Sequence, residues 1–423
     1  MVARESRELD LVVFGATGFT GTEVVKQLSR LGVVSRWAVG GRRHEALDAL
    51  AKAWNVPGGT IVADVSDEEA LKRMARSTRL VLNATGPYRF FGEAVVKACI
   101  EGGADYIDLC GEPEFMERML LQYHDAAAEA GVVICHACAF DSVPADLGIW
   151  HCCQLFREAG GQCAHVEMFH SIEAPLGYSG HITTFQAAVH GVGSARDLSK
   201  VRKQLEEKYG KIPKGSDILG PLPKHAAAWF WEPRLGRYAV PFIGSDASVV
   251  RSSRRTVANI LKTSDAETWM PQFGIYFTIQ SKWSLFKMAA AGGCFQFLAA
   301  KGWGRNLLLR FPGFFTFGAF SEEGPSKEQM ANNKWSGDLF AAGVVGGDRK
   351  ELVLHAELHD PGYIGTSLLF VLVAQTILED RGKFSARGGV FTPGAFFHLF
   401  QPSSILERLI AHGVEFKVVR SDL

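Results

Sequence analysis

Gly15, Gly18 and Gly21 recur every third residue in Gly15-Ala16-Thr17-Gly18-Phe19-Thr20-Gly21. They follow the apolar run Leu11-Val12-Val13-Phe14 directly and precede an amphipathic stretch with Val24, Val25, Leu28 and Leu31 on one face. A strand, a glycine turn and a helix in that order form an anion cradle. Backbone N–H groups at a helix start can approach a pyrophosphate only where no Cβ intervenes. Glycine spacing alone is weak evidence, and the flanking strand and helix give it weight. The second apolar run, Arg36-Trp37-Ala38-Val39, ends in Gly40-Gly41-Arg42-Arg43. An NAD-selective site would place an acid there for the ribose 2′-hydroxyl. Two guanidinium groups suit a 2′-phosphate instead, each charge-assisted bond contributing roughly 1.5–3 kcal/mol. The expected cofactor is therefore NADPH, with NADH disfavoured; solvated arginines at a helix start are the plain alternative. Asp64, after the third apolar run, is placed at the adenine edge. Asn83-Ala84-Thr85-Gly86-Pro87 follows the fourth, at the carboxyl end of a strand where open α/β sheets bind ligands.

Reduction also needs a proton source. Tyr88, next after that loop, is the first candidate acid, with Asp141 and His181 as groups to orient substrate or relay a proton. Each has a plainer reading: a packing tyrosine, a helix cap for Asp141 and a surface loop for His181. There is no Tyr-x-x-x-Lys pair of the short-chain reductase kind. Cys135-His136-Ala137-Cys138, near His151, Cys152 and Cys153, invites a metal reading. On a buried strand Cys135 and Cys138 would point to opposite faces, and no second ligand pair completes a zinc set. No metal is expected.

The elements that must position these residues alternate between strand and helix through the first third of the chain. That pattern predicts an α/β fold, a Rossmann doubly wound parallel sheet. Helices are expected over Glu93–Glu101 and Glu114–Ala130, with strands at Tyr106–Leu109 and Val132–Ile134. Asp141 or Ser142 would cap a further helix from Pro144. The middle of the chain differs. Strands are predicted at Val166–Ile172, Tyr276–Gln280, Asp338–Val345 and Glu351–Leu358, the last two forming a hairpin through Gly346-Gly347-Asp348. A second, α+β domain for substrate or dimer contact follows from this. Residues 211–236 read as a long irregular loop, and Val414–Val419 as a last strand.

Residues 285–320 stand apart. Met288–Ala300 contains one polar side chain, Gln296, and five phenylalanines lie between Phe311 and Phe320. Thirteen helical residues reach about 20 Å, short of a hydrocarbon core of roughly 30 Å. On one ideal helix Lys287, Lys301 and Arg305 would cluster and leave a broad apolar face, a pattern that suits a lipid interface. A buried core or a dimer interface is the alternative, and Gly292, Gly293, Gly302 and Gly304 weaken one continuous helix.

The whole chain of 423 residues is 47% hydrophobic, and its 45 basic side chains equal its 45 acidic ones. A large core follows, and with no net field nucleic-acid binding is disfavoured. Eight cysteines, mostly in apolar runs, fit reduced buried thiols. With a charged amino-terminal stretch they predict a cytoplasmic protein, peripheral on lipid droplets or a membrane if the apolar segment meets lipid.

Several longer motifs then appear in order: Gly86-Pro87-Tyr88-Arg89-Phe90, Gly111-Glu112-Pro113, Phe140-Asp141-Ser142 with Pro144-Ala145-Asp146-Leu147-Gly148, and Gly389-Val390-Phe391-Thr392-Pro393-Gly394-Ala395. With the glycine turn, they make the chain resemble the saccharopine dehydrogenase-like oxidoreductases nearly end to end. The resemblance implies a nucleotide site at Gly15, Gly18, Gly21 and the Asn83–Tyr88 loop. It also implies a C-terminal segment that returns to the Rossmann domain, giving 1–150 with 362–423 as one domain and 151–361 as the other. Animal-type members associate with lipid droplets and a related branch acts as trans enoyl reductases. The expectation is an NADPH-dependent reductase of a hydrophobic, lipid-derived substrate, with a homodimer as a further possibility. A nucleotide-binding scaffold with little turnover and saccharopine chemistry itself are the alternatives.

Overall fold

Leu11, Val12 and Val13 leave no surface to solvent because their strand lies inside a parallel sheet, flanked by a strand on each side. The computed structural model describes residues 6–222, 225, 228–263, 270–384, 388–398 and 403–423. The chain divides into two units: 1–141 with 362–408, and 142–361 with 409–423.

The first unit alternates β1 (Leu9–Phe14), α1 (Phe19–Leu31), β2 (Trp37–Gly41), α2 (His44–Ala53), β3 (Thr60–Val62), α3 (Glu68–Ser77), β4 (Thr78–Asn83), α4 (Tyr88–Gly102), β5 (Asp105–Asp108), α5 (Pro113–Glu129) and β6 (Val133–Cys135). All pair in parallel with a later strand, Gly389–Phe391, in the spatial order Gly389–Phe391, β6, β5, β4, β1, β2, β3. This is the doubly wound sheet that the alternation predicts. The order reverses at β1, so the carboxyl ends of β1, β2 and β4 frame a crevice.

The second unit begins with α6 (Val143–Glu158), earlier than the boundary at residue 150. The helix buries nearly every side chain from Val143 to Cys153, and it packs on β7 (Gly161–Glu173). Next come the two-residue β8 (Gly180–His181), α7 (Ile182–Gly193) and α8 (Ala195–Tyr209). Among the described residues of 211–236 the first element is β9 (Phe230–Glu232), and β10 (Arg237–Pro241), α9 (Asp246–Arg255) and β11 (Gln272–Ile279) follow. After three helices, α10 (Lys282–Ala299), α11 (Gly302–Arg310) and α12 (Pro312–Phe315), lie β12 (Phe320–Ser321), which pairs with β8, and α13 (Lys327–Asn332). The long hairpin of β13 (Lys334–Val345) and β14 (Asp348–His359) turns on Gly346 and Gly347, whose φ values of 60° and 91° fit a two-residue turn.

In the first unit, α14 (Ile364–Asp380) packs on α1, and β15 (Gly389–Phe391) and α15 (Pro393–His398) complete the returning segment. After α16 (Ser403–Ala411) the chain departs from expectation. Its last strand, β16 (Glu415–Ser421), pairs antiparallel with β14, so residues 409–423 join the second sheet. There they cover what would otherwise be an open edge. That sheet runs β16-β14-β13-β7-β11-β10-β9, with only the β7–β11 pair parallel.

Candidate functional site

Gly15 ends β1 at φ 84°, where a side chain is strained, and its N–H reaches the Gly40 carbonyl at 2.9 Å. A Cβ on Gly21 would lie 2.2 Å from the Gly15 carbonyl oxygen, which no rotamer relieves. The turn therefore lets α1 seat its first turn directly on the end of β1. Gly18 occupies the cap position, no side chain caps the helix, and its first turn carries no acid. The opening N–H groups of such a helix have no acceptor within the helix and favour an anion. The residues Gly15, Thr17, Gly18, Phe19, Thr20 and Gly21 thus fit a pyrophosphate. Phe19 packs its ring edge-on against Tyr363 of the returning segment, with centroids 4.7 Å apart.

Arg42 and Arg43 follow β2, exposed, and neither forms an ion pair among the described residues. Asp64 accepts bonds from the Ser66 hydroxyl and N–H at 2.6 and 2.9 Å. These hold its carboxyl below the ordinary value, with a smaller contribution from Arg42. Gly40, two residues before Arg42, accepts the Gly15 N–H, so this stretch of chain adjoins the glycine turn.

Beyond the loop, the side chains form a buried chain of polar contacts that the sequence reading did not single out. Thr85 bonds to Asn83 Oδ1 through its hydroxyl and, at 3.0 Å, its N–H. Asn83 Nδ2 donates to the Tyr106 hydroxyl at 3.1 Å, and that hydroxyl donates to Asp108 Oδ2 at 2.9 Å. His136 Nδ1 lies 2.7 Å from the same carboxyl oxygen. Asp108 Oδ1 accepts the N–H groups of Cys110 and Ala137 at 3.1 and 3.0 Å. Asn83, Asp108 and His136 are all buried, at the carboxyl ends of β4, β5 and β6. With Nδ1 committed to Asp108, His136 keeps Nε2 buried with no hydrogen-bond partner among the described residues. An imidazole nitrogen in that state can take or give a proton. A signal was present in the sequence: Tyr106 and Asp108 share one face of a strand by period two, and an acid closing a buried strand needs a partner.

The three proposed proton carriers fare differently. Tyr88 is buried and donates its hydroxyl to the Asn83 carbonyl at 2.9 Å. Burial, followed by the charge of Asp108, pushes its phenol well above the ordinary value. Its N–H and the Arg89 side chain both hold the buried Glu112 carboxylate, at 2.7 and 2.6 Å, which fixes the start of α4. Next in line, Phe90 and Phe91 are exposed. Asp141 is not the cap of α6. Ser142 holds that position, and its hydroxyl instead meets Ser245 Oγ at 3.0 Å. His181 lies in the second unit and caps α7, its Nδ1 accepting the Thr183 N–H at 3.3 Å. Burial lowers its pKa below the ordinary imidazole value.

The argument that Cys135 and Cys138 point to opposite faces does not apply. The strand ends at Cys135, and the Cys138 thiol turns back to the Cys135 carbonyl at 3.3 Å. Burial raises the Cys138 thiol well above its ordinary value, so it is a poor nucleophile and ligand. A hollow of about 570 Å³ opens at the other, amino-terminal ends of β1 and β2, beside Leu9, Arg36, Thr60 and Arg73. It therefore lies away from the glycine turn.

Residues 11–135 match the family model of the saccharopine dehydrogenase NADP binding domain. The chain is 38% identical to the human saccharopine dehydrogenase-like oxidoreductase, with 99% of each chain covered. It is 33% identical to a lipid droplet localized protein of Caenorhabditis elegans, covering 97% of this chain and 98% of that one. Among solved structures it is similar to apo saccharopine dehydrogenase (L-Glu forming) from Saccharomyces cerevisiae. The TM-score is 0.57 at 14% identity, with 97% and 100% of the two chains covered, a likeness of fold. With a nicotinamide-nucleotide cradle on a doubly wound sheet and relatives matched over nearly their whole length, the chain belongs to the saccharopine dehydrogenase-like oxidoreductases and is an NAD(P)-dependent oxidoreductase.

Proposed function

We propose that the protein is an NADPH-dependent reductase of a hydrophobic, lipid-derived C=C or C=O bond, working at a lipid-droplet or membrane surface. The observation that carries the reading is the buried chain from Thr85 to His136, whose Nε2 has no hydrogen-bond partner among the described residues. Bound NADPH supplies a hydride. This chain's residues bind it through Gly15–Gly21 and the Asn83–Pro87 loop, and Arg42 and Arg43 select its 2′-phosphate. Asp108 fixes the His136 ring, and Nε2 holds the proton that the reduced bond requires. Tyr88 acts as a positioning residue for the Asn83 loop, since its hydroxyl is already engaged. Phe90 and Phe91, exposed directly after that loop, favour an apolar substrate. The lipid-droplet name of the nematode relative supports the location.

The test compares NADPH and NADH binding by fluorescence titration and follows NADPH oxidation across a panel of lipid enals, enoyl thioesters and ketones. Substituting Arg42→Ala or Arg43→Ala singly, each removing one such bond, should weaken NADPH binding about 10- to 150-fold and leave NADH unchanged. An equal loss for both nucleotides would refute the arginine assignment. Tight NADPH binding with no turnover on any member of the panel would favour the scaffold reading. Turnover only with 2-aminoadipate semialdehyde and glutamate would favour saccharopine chemistry.

A further inference from the structure

Helices α10 to α12 invert the usual arrangement of a protein surface. Residues 286–291 of α10 are exposed all round although five of the six are apolar side chains or alanine and none is acidic. A helix apolar on every side is normally buried. Here only Leu285, Leu298 and Ala299 are buried. Leu298 and Ala299 join Leu308 on Phe185 and Val189 of α7 in a small satellite core. The remainder faces outward: Phe286, Phe297, Phe314 and Phe317 are 63%, 57%, 77% and 90% exposed. Isolated exposed apolar residues need no explanation, but a contiguous run of large aromatics marks a contact surface. No helix among the described residues is long and apolar enough to cross a membrane.

Charge identifies what covers this surface. From Lys282 to Phe320 the sequence carries five cations, Lys282, Lys287, Lys301, Arg305 and Arg310, and no Asp or Glu. The cations sit among the aromatic rings. Lys301 Nζ lies 4.1 Å from the Phe297 centroid and 5.9 Å from that of Trp303. Lys287 Nζ is 5.5 Å from Trp283, which stacks on Phe286, and the Arg310 guanidinium is 5.5 Å from Phe311. The helix breaks at Lys301, which is extended at φ −112° and ψ 139°, and α11 sets off anew. That break also replaces the single ideal helix of the sequence reading. A second copy docking face to face would set cations against cations, since a two-fold contact pairs a patch with itself. Aromatic rings interleaved with long basic side chains instead match an interface whose outer layer is anionic and whose inner layer is hydrocarbon.

The geometry points to an anionic phospholipid surface as the partner of the α10–α12 face, entered by the aromatic rings and held by the Lys287, Lys301 and Arg310 heads. This rests on the reading that the protein works at a lipid surface, and adds the chemistry recognised and the face that recognises it. The full chain is floated with vesicles of phosphatidylcholine alone and of phosphatidylcholine mixed with phosphatidylserine, and each variant is checked by thermal melting and gel filtration. Phosphatidylserine vesicles should capture more protein, and the advantage should shrink at high salt. Lys287→Gln, Lys301→Gln and Arg310→Gln together should weaken capture by phosphatidylserine vesicles about a hundred-fold and leave phosphatidylcholine capture unchanged. Phe314→Asp with Phe317→Asp should abolish both without altering the melting temperature. Equal capture on both vesicles, unaffected by the triple substitution, overturns the anionic recognition while leaving a lipid-surface location intact. No capture on either vesicle overturns both readings. A dimer in gel filtration that Phe314→Asp with Phe317→Asp dissociates assigns the face to a second copy and overturns the proposal.

Discussion

The two units break the burial rule in opposite directions. The first hides polar groups: Asn83, Asp108 and His136 lie inside, Asn83 linked to Asp108 by the Tyr106 hydroxyl and Asp108 bonded directly to His136. The second displays apolar ones: Phe314 and Phe317 stand in solvent, and Lys301 and Arg310 lie over the rings of Phe297 and Phe311. Burying a polar group costs stability unless it is bonded, and exposing large apolar surface forgoes burial that would stabilise the fold. Neither arrangement follows from folding alone. The inward departure sits at the carboxyl ends of parallel strands, where chemistry is done, and the outward one on helices that pack through a small satellite core. On the proposed reading the contrast separates catalysis from docking, and each side can be broken independently.

The largest effect is expected at Asp108. Asp108→Ala strands the Tyr106 hydroxyl, the His136 ring and two backbone N–H groups at once. A loss of about 3–5 kcal/mol is expected, read as a lowered urea midpoint. Because Asp108 meets the nucleotide loop only through Tyr106 and Asn83, NADPH affinity should change far less than stability. A midpoint equal to that of the unaltered protein would mean that the polar chain contributes nothing to the fold.

Leu308 is the matching residue in the other region. It is wholly buried in the satellite core with Phe185, Val189 and Leu298. Leu308→Ala should destabilise by about 2–5 kcal/mol through lost transfer energy and the cavity left behind. The measurement sharpens the comparison, since it asks whether α11 is anchored or merely lies on the surface. A loss below that range would mean that the aromatic face is not rigidly presented.

How legible this was depended on whether the signal was local. The glycine turn could be read because strand, turn and helix occupy twenty-three consecutive residues from Leu9 to Leu31, and each step has its own residue preference. The hairpin at Gly346-Gly347 was legible for the same reason. The Thr85–His136 chain was not, because its members come from β4, β5 and β6 and meet only when the parallel sheet assembles. The position of Tyr88 directly after the Asn83–Pro87 loop could be read from the sequence, but it carries no information on where the hydroxyl points. That direction is set by the 2.9 Å bond to the Asn83 carbonyl. β16 was legible as a strand but not as a member of the second sheet, since Val414–Val419 shows alternation without a partner. The helix break at Lys301 was foreshadowed by Gly302 and Gly304, and its cost was underestimated by treating the segment as one ideal helix.

Between the two extremes lies a half-open charge cluster in the first unit. Asp380 accepts Arg408 at 2.7 Å and Lys383 at 2.8 Å, and Arg408 also reaches Glu379 at 2.7 Å. Burial alone would raise the Asp380 carboxyl, but Arg408 and Lys383 outweigh it and hold the pKa below the ordinary value. A carboxyl depressed on folding stabilises above its unfolded pKa and loses that stability as pH falls through the folded value. The contribution should therefore be constant at neutral pH and vanish only in acid below the ordinary carboxylate range. Arg408→Ala should cost about 2 kcal/mol at neutral pH and shift the onset of acid unfolding to higher pH. An onset that stays in place would detach the returning segment's stability from this cluster.

The smallest effect is expected at the most exposed residue, and it is the most discriminating. Phe317 has a positive φ of 51° and is 90% exposed, so its ring covers almost nothing in the protein. Phe317→Ser removes the ring without burying a polar group or opening a cavity. Thermal stability should stay within about 0.5 kcal/mol of the original, as for a surface substitution away from structural features. If stability instead falls by an amount typical of a core phenylalanine, about 3–5 kcal/mol, the ring is covered in solution. Gel filtration then decides whether a second copy covers it. If stability is unchanged while vesicle capture falls, the ring's whole contribution lies outside the folded chain. The aromatic face would then be held by its partner alone, as the buried polar chain is held by the fold alone.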